Sequence, residues 1–171
     1  MGAQHTSVPR WPTVAPELDR TGRAYAVLTF GPAASVLAAA WQSALEMLGR
    51  PVWSRHGEQA TADCLAGLRA QIAAATVGWR LLLAGPQSEV LAAYSEAVRG
   101  GVLDAEITVV VTDAESRRVW CAHCDSTTSA EVALGAEVPC ASCGRSLFVY
   151  HHVSRLHAAH LGFMTDAEEV P

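Results

Sequence analysis

Four of the chain's five cysteines form two Cys-x-x-Cys pairs, Cys121 with Cys124 and Cys140 with Cys143, separated by residues 125–139. Two residues between thiols let one tight turn aim both sulfurs at a single point. Two such turns complete a closed tetrahedral site with metal–sulfur distances near ~2.3 Å. The spacing reads as structural zinc, and iron of the rubredoxin type is the alternative, because four tetrahedral sulfurs suit either metal. A plant-type iron–sulfur cluster needs a different spacing, and a catalytic zinc needs an open position that four thiolates do not leave. Gly144, directly after Cys143, supplies the permissive backbone such a turn wants, and "SLFVYHH" reads as a strand returning past the metal. These features describe a zinc ribbon. Arg118 and Arg145 are close enough in sequence to offset part of the thiolate charge. His123, between the first two thiols, reads as exposed or as a neighbour of the ligands.

A ribbon of about 40 residues has too little apolar surface to fold alone. Its metal is therefore a folding constraint, on the order of 10–16 kcal/mol in small peptides. Upstream the texture is different. Residues 1–22 are proline-rich and lack periodicity, an arm in which Trp11 reads as an anchor on this domain or on a partner. Residues 23–116 alternate short apolar runs with helical patterns. "AYAVLTF", "PVWS", "WRLLLAGP" and "EITVVVTD" read as strands. The first helix turns Leu37, Trp41, Ala44, Leu45 and Leu48 to one side and stops at Gly49 and Pro51. A second, expected over 58–75, carries Leu65, Leu68 and Ile72, with Cys64 beside that stripe as a small buried apolar side chain. A third, with Ser88 as its expected cap, turns Leu91, Tyr94 and Val98 inward and stops at Gly100-Gly101. Strand and helix in alternation predict an α/β fold, a small parallel sheet flanked by helices. The ribbon domain follows over 117–171.

Composition narrows the functions. Half the residues are hydrophobic and 17% are charged, so a core can form. The net charge is −5 and all twelve basic residues are scattered arginines, which disfavours a nucleic-acid face. No apolar run reaches the roughly 18 residues of a membrane span, and the N-terminus does not read as a signal peptide. A cytoplasmic location is the expectation, and reduced Cys-x-x-Cys pairs there more often hold metal than form disulfides.

The tail holds His151, His152, His157 and His160, which read as surface or interface histidines, with a second metal site or a haem ligand as the alternative. Tyr150, Leu156, Phe163 and Met164, with Arg155 among them, are apolar enough to form a contact surface, the candidate interface. On that reading residues 150–171 are a docking extension whose removal leaves the zinc module folded; the alternative is a tail folded back on its own sheet. The acidic end, Asp166, Glu168 and Glu169, reads as a solvated tail.

"CAHC", "VPCASCG" and "LFVYHHVSRLHAAHLGFMTDAE", with "RLLLAGPQSEVLAAYSEAVRGG" and "EITVVVT" upstream, resemble the small subunit of bacterial dimethylamine monooxygenase. The resemblance implies a subunit of a multi-subunit, NADPH- and O2-dependent oxygenase that removes a methyl group from a secondary amine. It implies haem, flavin and iron–sulfur centres on partner subunits, and zinc held here by Cys121, Cys124, Cys140 and Cys143. A second resemblance, of the first strand, its loop and "LLLAGP", is to the nucleotide-binding half of ferredoxin reductases. The loop "FGPAAS" has one glycine, and Ala84 precedes Gly85-Pro86, so a phosphate-cradling site reads as degenerate. The functions left are a non-catalytic assembly subunit, a rubredoxin-like electron carrier, and a zinc-ribbon nucleic-acid binder, the last disfavoured by charge.

Overall fold

The computed structural model describes residues 7–165; the first six residues of the arm and the acidic end (Asp166, Glu168, Glu169) lie outside them. The chain divides into two units, one spanning Trp11–Asp113 and one built from described residues on either side of it. Among the described residues no helix is long and apolar enough to cross a membrane.

In the first unit, strands β1 (Ala24–Phe30), β2 (Val52–Gly57), β3 (Trp79–Pro86) and β4 (Ile107–Asp113) form a parallel sheet in the order β2-β1-β3-β4. β1 and β3 are near-continuous apolar runs because both faces of a central parallel strand are covered. Helix α1 (Ser35–Met47) lays Ala38, Trp41 and Leu45 on one side, where Trp41 and Leu45 meet Val27, Leu82 and Val110. Helices α2 (Ala62–Ala73) and α3 (Gln87–Arg99) cover the other, with Cys64, Leu68, Val90 and Ala97 against Leu28, Leu81 and Leu83. Cys64 is thus a buried core thiol.

Two helix starts differ from the expectation. α2 begins only after Thr61, whose hydroxyl accepts from the Cys64 N–H at 3.3 Å and fixes the first turn. Ser88 does not cap α3. It lies buried inside the first turn and donates to Glu89, and the N-cap position falls to Pro86, which has no side-chain acceptor to offer. The arm is held by the same unit. Pro12 accepts from the Val111 N–H on the edge strand β4, blunting that edge, and Trp11 packs edge-on to Tyr94 at 5.1 Å. Asp19 then pairs with Arg80 at 2.8 Å.

The second unit is one five-stranded sheet. Strands β5 (Ser116–Cys121), β6 (Thr127–Glu131), β7 (Glu137–Pro139), β8 (Ser146–Ser154) and β9 (Ala159–Met164) lie in the order β6-β5-β9-β8-β7. The tail is therefore not a separable docking extension. β9 sits at the centre of the sheet, parallel to β5 and antiparallel to β8, and its Met164 packs against the ribbon's own apolar cluster. Gly162 makes this possible: a Cβ there would lie 2.6 Å from Val119 Cγ1 and 3.0 Å from the Trp120 carbonyl.

Candidate metal centre

The four cysteines sit on two turns of the same local design. In the first, the Cys121 N–H donates to the Ser126 carbonyl at 2.8 Å and the Asp125 N–H to the Cys121 carbonyl at 3.0 Å. In the second, the Cys140 N–H donates to the Arg145 carbonyl at 2.8 Å and the Gly144 N–H to the Cys140 carbonyl at 2.9 Å. Both turns need a left-handed residue after their second cysteine. Gly144 takes it at φ 74°, and Asp125 takes it at φ 59°, a conformation aspartate tolerates better than most side chains. The Asp125 carboxylate also accepts from Trp120 Nε1 at 2.6 Å, which steadies the less permissive turn.

The ends of β5 and β7 bring these turns together. All four sulfurs lie within 4.8 Å of one another, with Cys121 Sγ 3.8 Å from Cys143 Sγ and Cys124 Sγ 3.6 Å from Cys140 Sγ. A tetrahedron with ~2.3 Å metal–sulfur bonds has edges of about 3.8 Å, so the donor set fits a single metal ion with no open position. All five cysteines are free thiols. Cys121 and Cys140 are buried and join Val119, Val138, Leu147 and Val149 in the unit's apolar cluster.

Ser126 tunes the site. Its hydroxyl lies 3.0 Å from Cys124 Sγ and 3.4 Å from Cys140 Sγ. That hydrogen bond, ahead of those from the Cys143 and Ser142 backbone, holds Cys140 down to about 5, and it also lowers Cys124. Cys143 is pushed up to about 11: a backbone hydrogen bond at Arg145 lowers it, but burial and its three sulfur neighbours outweigh that. Cys124 and Cys140 are thus shifted toward the thiolate a metal requires, and Cys143 away from it. Thr128 Oγ1 accepts from the Ala141 N–H at 3.0 Å and ties the second turn to β6, while the Ala122 N–H ties the first to Gly162 of β9.

His123 is exposed. Arg118 donates to the Ala158 carbonyl at 3.0 Å. The tail histidines divide. His151 and His152 are exposed on a bulge where β8 shifts register between Val149 and Val153. His157 stacks on Trp120 at 4.2 Å. His160, expected at a surface, is fully buried, and burial, which outweighs a backbone hydrogen bond at Tyr150, pushes its pKa down to about 4. Of the candidate interface, Tyr150 (41% exposed) and Phe163 (46%) form an aromatic cluster with Phe148, and Arg155 and Leu156 are exposed. Met164 instead packs against the apolar cluster around the cysteines.

Sequence reasoning missed Ser126, Asp125 and Gly162. For Asp125 a signal existed: it holds the place that Gly144 holds in the second turn. For the other two none did, since their roles depend on the opposite turn and on a distant strand.

Residues 118–163 match the family model described as the C-terminal domain of DmmA-like dimethylamine monooxygenase subunits. The chain is also 34% identical, over 95 residues, to the heme-dependent oxidative N-demethylase delta subunit of Ectopseudomonas mendocina. That alignment takes in 56% of this chain and 53% of the relative, so the chain spans about half the length of the curated protein it matches. No solved structure matches it. The segment that brings the four cysteines together is thus the part of the chain that is similar to the DmmA-like C-terminal domain.

Proposed function

We propose that this chain is the non-catalytic, zinc-binding subunit of a multi-subunit, NADPH- and O2-dependent secondary-amine monooxygenase, dimethylamine being the expected substrate. There it supports assembly and coupling of a haem-containing oxygenase subunit and a flavin/iron–sulfur reductase subunit during oxidative N-demethylation, in the cytoplasm. One observation carries the reading: four sulfurs close on one another at tetrahedral spacing inside the DmmA-like segment. Such a site holds a structural ion and leaves no position for substrate, so the chemistry belongs to partners. Of the candidate contact residues, Tyr150, Arg155, Leu156 and Phe163 are exposed and remain available to those partners; Met164 supports the ribbon from within.

In this reading the α/β unit is a degenerate nucleotide domain of the ferredoxin-reductase kind. The strand order, with its switch between β1 and β3, supports it. So does the state of the α3 N-terminus, where a phosphate would meet free amides. The Glu89 carboxylate stands in the first turn, accepting from the Ala60 N–H at 2.6 Å and from Ser88.

Four tetrahedral sulfurs also suit iron, and with it the alternative of an electron carrier. Elemental analysis of protein grown in balanced metal medium separates the two. About one zinc per chain is expected; stoichiometric iron with a visible iron–thiolate absorption and a reversible redox wave would establish the carrier instead. Calorimetric titration with NADPH is expected to show no tight binding, and a low-micromolar dissociation constant would overturn the degenerate-domain reading. Co-purification with haem- and flavin-containing subunits that demethylate dimethylamine tests the assembly role.

A further inference from the structure

The α/β unit carries a groove that the metal centre does not use. It lies between the C-terminal ends of α2 and α3, encloses about 350 Å³, and is lined by Arg69, Ile72, Ala73, Glu96, Arg99 and Gly100. A second depression of about 260 Å³ shares Ile72 and Gly100 with it and runs on past Val102 to Trp79. The floor depends on a missing side chain. A Cβ at Gly100 would lie 2.8 Å from Ile72 Cγ2, so only glycine lets the two helix ends close while leaving the surface concave. Val77, at the border of the second depression, is 90% exposed.

The charge along this groove is lopsided. Arg69 and Arg99 both donate to Glu96, at 3.0 and 2.7 Å, so two cations share one anion. The Glu96 side chain is only 16% exposed, whereas the arginine side chains are 53% and 50% exposed. The helix ends do not cancel this excess. The carbonyls of Glu96, Ala97 and Val98 already accept from Gly100, Val102 and Gly101, and those of Ala70 and Ile72 accept from Ala74 and Ala75. At the far end the one lining carboxylate, Glu106, accepts from the Leu103 N–H.

We infer that this groove docks an acidic peptide segment of a partner protein, with an apolar side chain seated on Ile72 and Gly100 and a carboxylate against Arg69 and Arg99. Guanidinium forks pair with carboxylates through two parallel N–H donors, and arginine beside a desolvated apolar pocket is a common binding hot spot. The joined length of the two depressions favours an extended segment over a compact molecule. Glu96 acts as the internal competitor, holding both arginines until a partner carboxylate replaces part of its contact. The inference stands apart from the amine-oxygenase reading, since it uses no residue of the ribbon.

The test is an amide-shift titration of the full-length, metal-loaded protein with acetyl-Leu-Glu-Leu-Glu-Leu amide, with its lysine counterpart and with hexanoate as controls. Shifts centred on Ile72, Gly100 and Val102 are expected for the glutamate peptide, weakening about tenfold as ionic strength shrinks the Debye length from ~14 to ~5 Å. The double variant Arg69→Gln/Arg99→Gln should weaken binding at least about tenfold. Glu96→Gln should tighten it by about threefold to tenfold, because the competitor is gone, a gain that a merely structural Glu96 would not give. If the double variant misfolds, the salt dependence and the control ligands on the unaltered protein still decide. Absence of shifts, equal binding of the lysine peptide, or hexanoate binding as tightly as the peptide would each overturn the proposal.

Discussion

The α/β unit and the ribbon unit hide backbone and apolar surface with very different resources. The first has two apolar layers, one on each face of its parallel sheet, closed by three helices. The second has one small cluster in which two of the buried members, Cys121 and Cys140, are also candidate metal ligands. In the α/β unit polar groups near the core are few, Thr29 among them, bonded to His56 at 2.9 Å. In the ribbon two of the sulfur-bearing side chains are part of the core. A unit with ample apolar area folds by burial, while one without it makes its chemistry part of its fold.

Denying the four-sulfur site its proposed metal should break that comparison most strongly. Chelation, or Cys121→Ser, is expected to unfold the ribbon and leave the α/β unit intact, because metal binding in such modules is on the order of 10 kcal/mol of folding free energy. Amide exchange read separately over 24–113 and 116–164 checks it; equal loss of protection in both would mean that the units share one core.

Next in size is His160. Its folded pKa of about 4 lies below its ordinary 6.5 because the ring is buried. The unfolded chain then binds the proton more readily, so stability is complete above the unfolded pKa and falls as pH drops from about 6.5 to about 4, by up to about 3 kcal/mol. His160→Leu should flatten this acid limb for the ribbon alone, as urea midpoints at pH 7 and pH 5 would show. Gly162→Ala should cost the ribbon about 1–3 kcal/mol through overpacking against Val119, with the α/β unit unaffected.

The smallest effect belongs to the α/β unit. Asp19 is held down to about 2 by hydrogen bonds from the Thr21 side chain, then Arg80, then the Thr21 amide. Its contribution is present above the ordinary carboxylate range and disappears as pH falls through about 2. Asp19 is partly exposed, so Asp19→Asn should cost only about 0.5–1 kcal/mol at pH 7 and nothing at pH 2. A larger loss would mean that the arm, and not only the helix-covered sheet, carries this unit's stability.

The sequence by itself determined what a few adjacent residues can complete. The metal turns are hydrogen-bonded within six residues, so two Cys-x-x-Cys pairs and Gly144 were enough to place a four-sulfur site. The parallel α/β layers were equally legible, because each βα unit writes its own periodicity into one contiguous stretch. Tertiary structure decided the rest. That β9 enters the ribbon's centre, that His160 is buried while His151 and His152 are exposed, and that Ser126 serves sulfurs from both turns all depend on pairings between distant strands. The same holds for Glu96, which bridges arginines of two helices across a gap that Gly100 keeps narrow. In each case at least one partner lies outside the local stretch, as Cys140 does for Ser126 and Arg69 for Glu96. Strand register sets which face a side chain takes, and a shift of one residue reverses it.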